Sequence, residues 1–327
     1  MLTERQENIL KLITTEYIKS ARPVGSKLIC DELNCSSATV RNEMANLEDL
    51  GLLEKTHTSS GRVPSEKGYR YYVDHLMKPK ELTGEDMLKL QIIFNNNQLE
   101  LNDTLSESLK LISDMTSYTS IVLGGASHDN KLKEISTVPI DNENLIVIVV
   151  TDQGHVENRR ITLKNVSLDE IKKTVNLINE LIVGTPIDEI SSKLEFEIKP
   201  IIGRYVKEHE IVYNTFYQVF KDFSSKNVNI VGKNNMLKQP EFNNIEKIQS
   251  IFNKLDNKEE MLDSIKEDNN DIKIYIGNEN NLDKDVTIIQ TKYNSHGEEG
   301  TIAIVGPKRM DYDRVVTLLD YIKSNIE

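Results

Sequence analysis

Apolar residues recur at helical spacing from the first turn of the chain, where Ile9, Leu10, Ile13 and Tyr17 follow a Thr3–Gln6 pair that predicts a capping box. The pattern breaks at "ARPVGS", and a second helix is predicted from a Ser26 cap to about Asn34, with Leu28, Ile29 and Leu33 inward. After the tight turn "NCS", a third helix, "SATVRNEMANLEDL", sets Val40, Met44 and Leu47 on one side and stops at Gly51. "LLEKT" reads as a short strand and "SSGRVP" as the strand that returns beside it. Tyr69, Tyr72, Val73 and Leu76 then form the buried stripe of a fourth helix. Three helices followed by a two-stranded hairpin make a winged helix-turn-helix.

Past a linker-like "KPKELTG", helical spacing resumes to about Tyr118, with Leu101, Leu105, Leu109 and Ile112 in line, and "TSIVLGG" reads as a strand. Residues 130–163 predict an antiparallel meander with a turn at "TDQG", and residues 168–223 are helical in pattern. Strands return at "NVNIVG", "DIKIYIG", "VTIIQTKY" and "GTIAIVG", around a helix from about Ile245 and ahead of a terminal one from Tyr312. The class is therefore α+β and multidomain. Strand-rich segments flank a mostly helical block, so either the C-terminal part is one large domain or residues 130–222 are inserted into a smaller sheet domain. Domain-size expectations favour the insertion.

The chain of 327 residues is long enough for two or three domains and carries a net charge of −12. Acidic and basic groups balance over residues 1–78, so the entire excess of negative charge lies beyond them. A nucleic-acid partner would therefore meet the N-terminal part. The longest uninterrupted apolar run, Leu145 to Val150, is far too short to span a bilayer, and no secretory signal pattern opens the chain; a cytoplasmic location is expected.

A recognition helix needs small residues for close approach to the major groove and polar ones to read base edges. The outer face of the third helix has both: Ala38, Asn42, Ala45, Asn46 and Asp49, with Arg41 at its edge. The expected base readers are Ser37, Thr39, Arg41, Asn42 and Asn46, and the expected phosphate contacts are Lys27, Lys55, Arg62, Lys67 and Arg70. Arg62 next to Gly61 reads as a minor-groove or backbone contact on the wing. Tyr69 and Tyr72 read as core, and Tyr71 as facing away toward phosphate.

Enzyme signals are thin. No Walker loop, GxSxG or HExxH occurs, and "VLGG" is no dinucleotide fingerprint. The spacing of Cys30 and Cys35 fits neither a redox pair nor half of a common zinc site, so neither metal nor cofactor is expected. His128 and Asp129, after the Gly-Gly pair, are the one candidate lining of a ligand pocket.

"RPVGSKLI", the run from Ser36 to Met77 and the later "YTSIVLGG" resemble the HrcA family of bacterial heat-shock repressors across the whole chain. The resemblance implies a winged helix over residues 1–78 and a GAF-like domain split between 79–129, with its linker helices, and 223–327. A dimerisation module, 130–222, would be inserted between the two halves. It further implies a homodimer on the inverted-repeat CIRCE operator upstream of chaperonin and DnaK-type operons, with the GroEL chaperonin supporting the active state. One rival is a metabolite-responsive repressor whose GAF-like part binds an effector, although no charged constellation to grip one stands out. Another is a bifunctional enzyme and repressor similar to the biotin ligases, which the missing Gly-Arg-rich nucleotide loop disfavours.

Overall fold

The computed structural model describes residues 2–56, 61–96, 101–124, 131–199 (except 142, 153, 155 and 165), 209–224, 227–257, 260, 261, 265, 271–295 and 298–326. They fall into two compact units, one of Met1–Val122, Asn229–Tyr293 and Ile302–Glu327, the other of Leu123–Val228 and Asn294–Thr301.

The first unit opens with α1 (Glu4–Ser20), whose capping box uses Thr3 and Gln6 and which buries Ile9, Leu10 and Ile13. Helix α2 (Ser26–Leu33) is capped by the extended backbone of Gly25 and not, as the sequence pattern predicts, by Ser26, which is already helical. Asn34, left-handed at φ 51°, turns the chain toward α3 (Ser37–Asp49). There Ser36 caps by accepting the Thr39 N–H at 3.1 Å. Strands β1 (Leu53–Lys55) and β2 (Arg62–Pro64) pair antiparallel, and Val24 exchanges two backbone hydrogen bonds with Arg62 on the other edge of β2. Ile9, Leu10, Ile13, Val24, Ile29 and Val40 close with Met44, Leu47 and Leu53 into one core. This is a winged helix.

Gly61 and Gly68 are required by close approach. A Cβ on Gly61 would stand 2.8 Å from the Pro23 carbonyl carbon, and one on Gly68 would stand 2.0 Å from the Leu52 carbonyl oxygen. Gly68 lies in α4 (Glu66–Tyr71), which Ser65 caps and which runs on as a wider π-type turn over Tyr72–Leu76.

The same unit holds α5 (Gly84–Phe94), α6 (Leu101–Thr116), α10 (Ile245–Asp256), α11 (Tyr312–Ile326) and most of a five-stranded sheet in the order β7-β3-β10-β9-β8. Its strands are β3 (Thr119–Gly124), β7 (Asn227–Val231), β8 (Lys273–Ile276), β9 (Val286–Ser295) and β10 (Glu298–Pro307). Tyr69 of α4 and Tyr72 of the π-type turn that follows it are buried here, among Leu90, Ile289, Tyr312 and Leu319. The tyrosines read as core in the sequence are thus core of the sheet layer, not of the three-helix head.

The second unit is a meander of β4 (Leu132–Pro139), β5 (Asn144–Thr151) and β6 (Val156–Thr162), antiparallel throughout, with α7 (Leu168–Ile182), α8 (Ile190–Lys193) and α9 (His209–Ser224). Alternation along β5 sends Leu145, Val147 and Val149 into a core with Ile171, Ile178, Leu194, Phe216 and Phe220. Among the described residues no helix is long and apolar enough to cross a membrane, and no cluster of three or more His, Cys, Asp or Glu could hold a metal ion. Cys30 and Cys35 are free thiols. His128 and Asp129 lie outside the described residues.

Candidate nucleic-acid interface

Helix α3 divides its residues by face. Val40, Met44 and Leu47 are buried, while Ala38, Arg41, Asn42, Ala45, Asn46 and Asp49 are all exposed. Two alanines between the polar groups leave room for the helix to approach a groove closely. Ser37 is exposed at the helix start, but Thr39 is half-buried, with its hydroxyl 2.8 Å from that of Ser36, so it serves the cap.

Two of the base-reading candidates have side chains fixed by neighbours. Arg41 donates from Nε to Ser26 Oγ at 3.3 Å. Asn46 donates to Glu43 Oε2 at 3.2 Å, and the same oxygen accepts from Gln6 Nε2 of α1 at 3.0 Å. The sequence pattern does not mark Ser26, Glu43 or Gln6 as functional. Ser26 and Gln6 each read there as a capping residue, and no local pattern links either to α3.

The predicted phosphate contacts divide. Lys27 is exposed on α2, Lys55 is exposed on β1 with Glu48 Oε1 at 3.6 Å, and Lys67 is exposed while donating to the Leu50 carbonyl at 3.0 Å. Arg62 differs from expectation. Its side chain is only 12% exposed and donates from Nε and Nη2 to Glu48 Oε2 at 2.8 and 2.7 Å, tying the hairpin to the last turn of α3. It is a strut of the wing. The tip residues 57–60 lie outside the described residues.

Arg70 is also engaged elsewhere. It donates to Glu279 Oε1 at 3.1 Å and to Asp74 Oδ1 at 3.2 Å, and a further N–H meets the Ile274 carbonyl. Both arginines satisfy carboxylates that would otherwise be left partly desolvated, which outweighs a solvent-facing pose. Tyr71 does not face phosphate either. Its hydroxyl donates to Glu7 Oε1 at 2.8 Å, and lost hydration together with that carboxylate raises its pKa.

The contacts of Arg70 belong to a set joining the winged helix to the sheet layer. Tyr72 donates to both oxygens of Asp313 at 3.1 Å, Asn278 donates to Glu66 Oε2 at 3.0 Å, and Arg309 donates to the Ile18 carbonyl at 3.3 Å. Burial raises the Asp313 pKa, against the opposing pull of the Tyr72 hydroxyl. The head is therefore held by polar contacts from both α1 and α4.

Comparison with known proteins gives two family matches. The model described as "Winged helix-turn-helix transcription repressor, HrcA DNA-binding" matches residues 1–75, and that described as "HrcA protein C terminal domain" matches residues 102–316. A crystal structure described as a hypothetical protein at 2.2 Å resolution is 22% identical, aligns over 100% of this chain and 98% of its own, and superposes with a TM-score of 0.65. That likeness shows a shared fold. Pseudomonas aeruginosa HmgR (9% identical, 97% of this chain and 94% of its own) and Thermotoga maritima IclR (13%, 97% and 95%) superpose with TM-scores of only 0.22 and 0.21, too low to carry an argument.

Proposed function

Because the chain belongs to the HrcA family of heat-inducible, DNA-binding transcription repressors, we propose that it binds the inverted-repeat CIRCE operator of chaperonin and DnaK-type operons as a homodimer whose activity GroEL supports. The observation that carries the reading is the outer face of α3, where Arg41, Asn42 and Asn46 stand exposed between Ala38 and Ala45. In this reading Ser37, Arg41, Asn42 and Asn46 meet base edges, and Lys27, Lys55 and Lys67 meet phosphate.

A two-fold protein reads a two-fold operator, so an inverted repeat calls for a self-complementary surface. The inserted module, proposed as the dimerisation domain, offers one. Val138, Ile140 and Val156 are exposed on the sheet face opposite its core, with Ile146, Ile148 and Val150 half-buried beside them in register. Glu134, Ser136, Asn158 and Arg160 pair with them on the same face, so a second copy would meet an apolar patch interleaved with charge. Heat enters through chaperonin supply. Unfolded clients compete for GroEL, active repressor falls, and transcription of the chaperone operons rises.

Footprinting on genomic DNA, with and without GroEL, tests the proposal. Symmetric protection of an inverted repeat upstream of chaperone operons, stronger with chaperonin present, is expected. Protection of one asymmetric half, or none, would overturn the operator assignment; identical footprints in both conditions would remove GroEL from the scheme.

A further inference from the structure

Ser26 is not part of the recognition helix, yet it is placed to decide how that helix uses Arg41. Gly25 takes the cap position of α2, and the Ser26 side chain makes no capping hydrogen bond. Its hydroxyl instead accepts from Arg41 Nε at 3.3 Å and lies 3.4 Å from the hydroxyl of Ser37, the first residue of α3. One oxygen thus bridges α2, the start of α3 and the outward-facing arginine.

A guanidinium has two usable edges, one formed by Nε with one Nη and the other by the two Nη groups together. With Nε–H engaged by Ser26, the end-on pair has no partner among the described residues and is left for a ligand. That pair matches the O6 and N7 acceptors of guanine in the major groove. An arginine in water has many rotamers, and fixing one of them before binding removes an ordering cost that the complex would otherwise bear.

We infer that Ser26 is a specificity-positioning residue, which holds the Arg41 guanidinium end-on so that it reads guanine in the operator; the inference rests on the base-reading role given to α3 above. Ser26 need not touch DNA. Its effect is transmitted through Arg41 and is absent where Arg41 has no base to read.

The test compares Ser26→Ala, Ser26→Thr, Arg41→Ala and the Ser26→Ala/Arg41→Ala double variant of the full-length protein. Each is titrated with operator, with base-shuffled DNA, and with operators carrying 7-deazaguanine at one guanine at a time. For Ser26→Ala, operator affinity should fall about three- to tenfold, the scale of one net hydrogen bond, with shuffled DNA unchanged within about twofold. The penalty for 7-deazaguanine at the contacted guanine should shrink, Ser26→Thr should restore both, and Ser26→Ala should add little to Arg41→Ala.

If Arg41→Ala leaves discrimination intact, the base-reading role itself fails and this inference falls with it. If Arg41→Ala costs discrimination but Ser26→Ala changes neither the operator ratio nor the deazaguanine penalty, the Ser26 role alone is overturned. Equal loss on operator and shuffled DNA with a shallower salt slope would also overturn it, by assigning the pair to phosphate.

Discussion

Replacing Arg62 by alanine separates a strut from a phosphate contact. The wild-type guanidinium is 12% exposed and places two hydrogen bonds of 2.7 and 2.8 Å on one oxygen of Glu48, whose side chain is 27% exposed. Exposed ion pairs contribute about 0–1 kcal/mol, and breaking a fully buried one costs about 3–5 kcal/mol. This partly screened pair falls between, at about 2 kcal/mol. Lys55, at 3.6 Å from the other oxygen, is solvent-exposed and compensates little.

Native-state hydrogen exchange reads the loss locally, because Val24 and residue 62 each donate a backbone N–H to the other's carbonyl, at 2.8 and 2.9 Å. Both amides should exchange about thirtyfold faster in Arg62→Ala, since about 1.4 kcal/mol is a factor of ten. The salt dependence of DNA binding should change little. Unchanged exchange, together with a salt slope shallower by about 0.9 per wing, would refute the strut and restore Arg62 as a phosphate contact.

Other expectations follow from close packing and from charge. Gly68→Ala puts a methyl 2.0 Å from the Leu52 carbonyl, where only backbone movement makes room; a loss of about 2–3 kcal/mol or more is expected in denaturant unfolding, and a neutral variant would contradict the packing. Asp313, whose pKa is raised above 3.8 in the fold, binds its proton more tightly folded than unfolded. Its contribution to stability is therefore fully present below the unfolded pKa and is lost as pH rises through the folded one. Carboxyl NMR titration should show this elevation, and Tyr72→Phe should raise the pKa further by removing a donor to the carboxylate. A carboxyl titrating at its ordinary value would contradict the buried pairing.

Local periodicity made much of the head legible. The Thr3–Gln6 box and the 3.6-residue spacing of Val40, Met44 and Leu47 each act within a few residues, and each is found as the spacing predicts. The outer face of α3 was legible for the same reason, because burying one side of a helix settles the other. The arginines were not. Arg62 meets its carboxylate 14 residues away and Arg70 meets one 209 residues away, separations at which no spacing rule operates. A cation in a hairpin reads as free until the fold brings an anion to it. Ser26 is obscured differently, since Gly25 caps within a few tenths of a kcal/mol of a serine and the pattern alone does not choose.

The central claim, that α3 reads operator bases and does more than bind phosphate, is tested most directly by competition binding of wild type and Arg41→Ala to operator and base-shuffled DNA at one fixed salt concentration. The account predicts a wild-type preference for operator of about 10³-fold or more, reduced in Arg41→Ala by about 1–3 kcal/mol, with affinity for shuffled DNA nearly unchanged. Equal losses on both DNAs would contradict it.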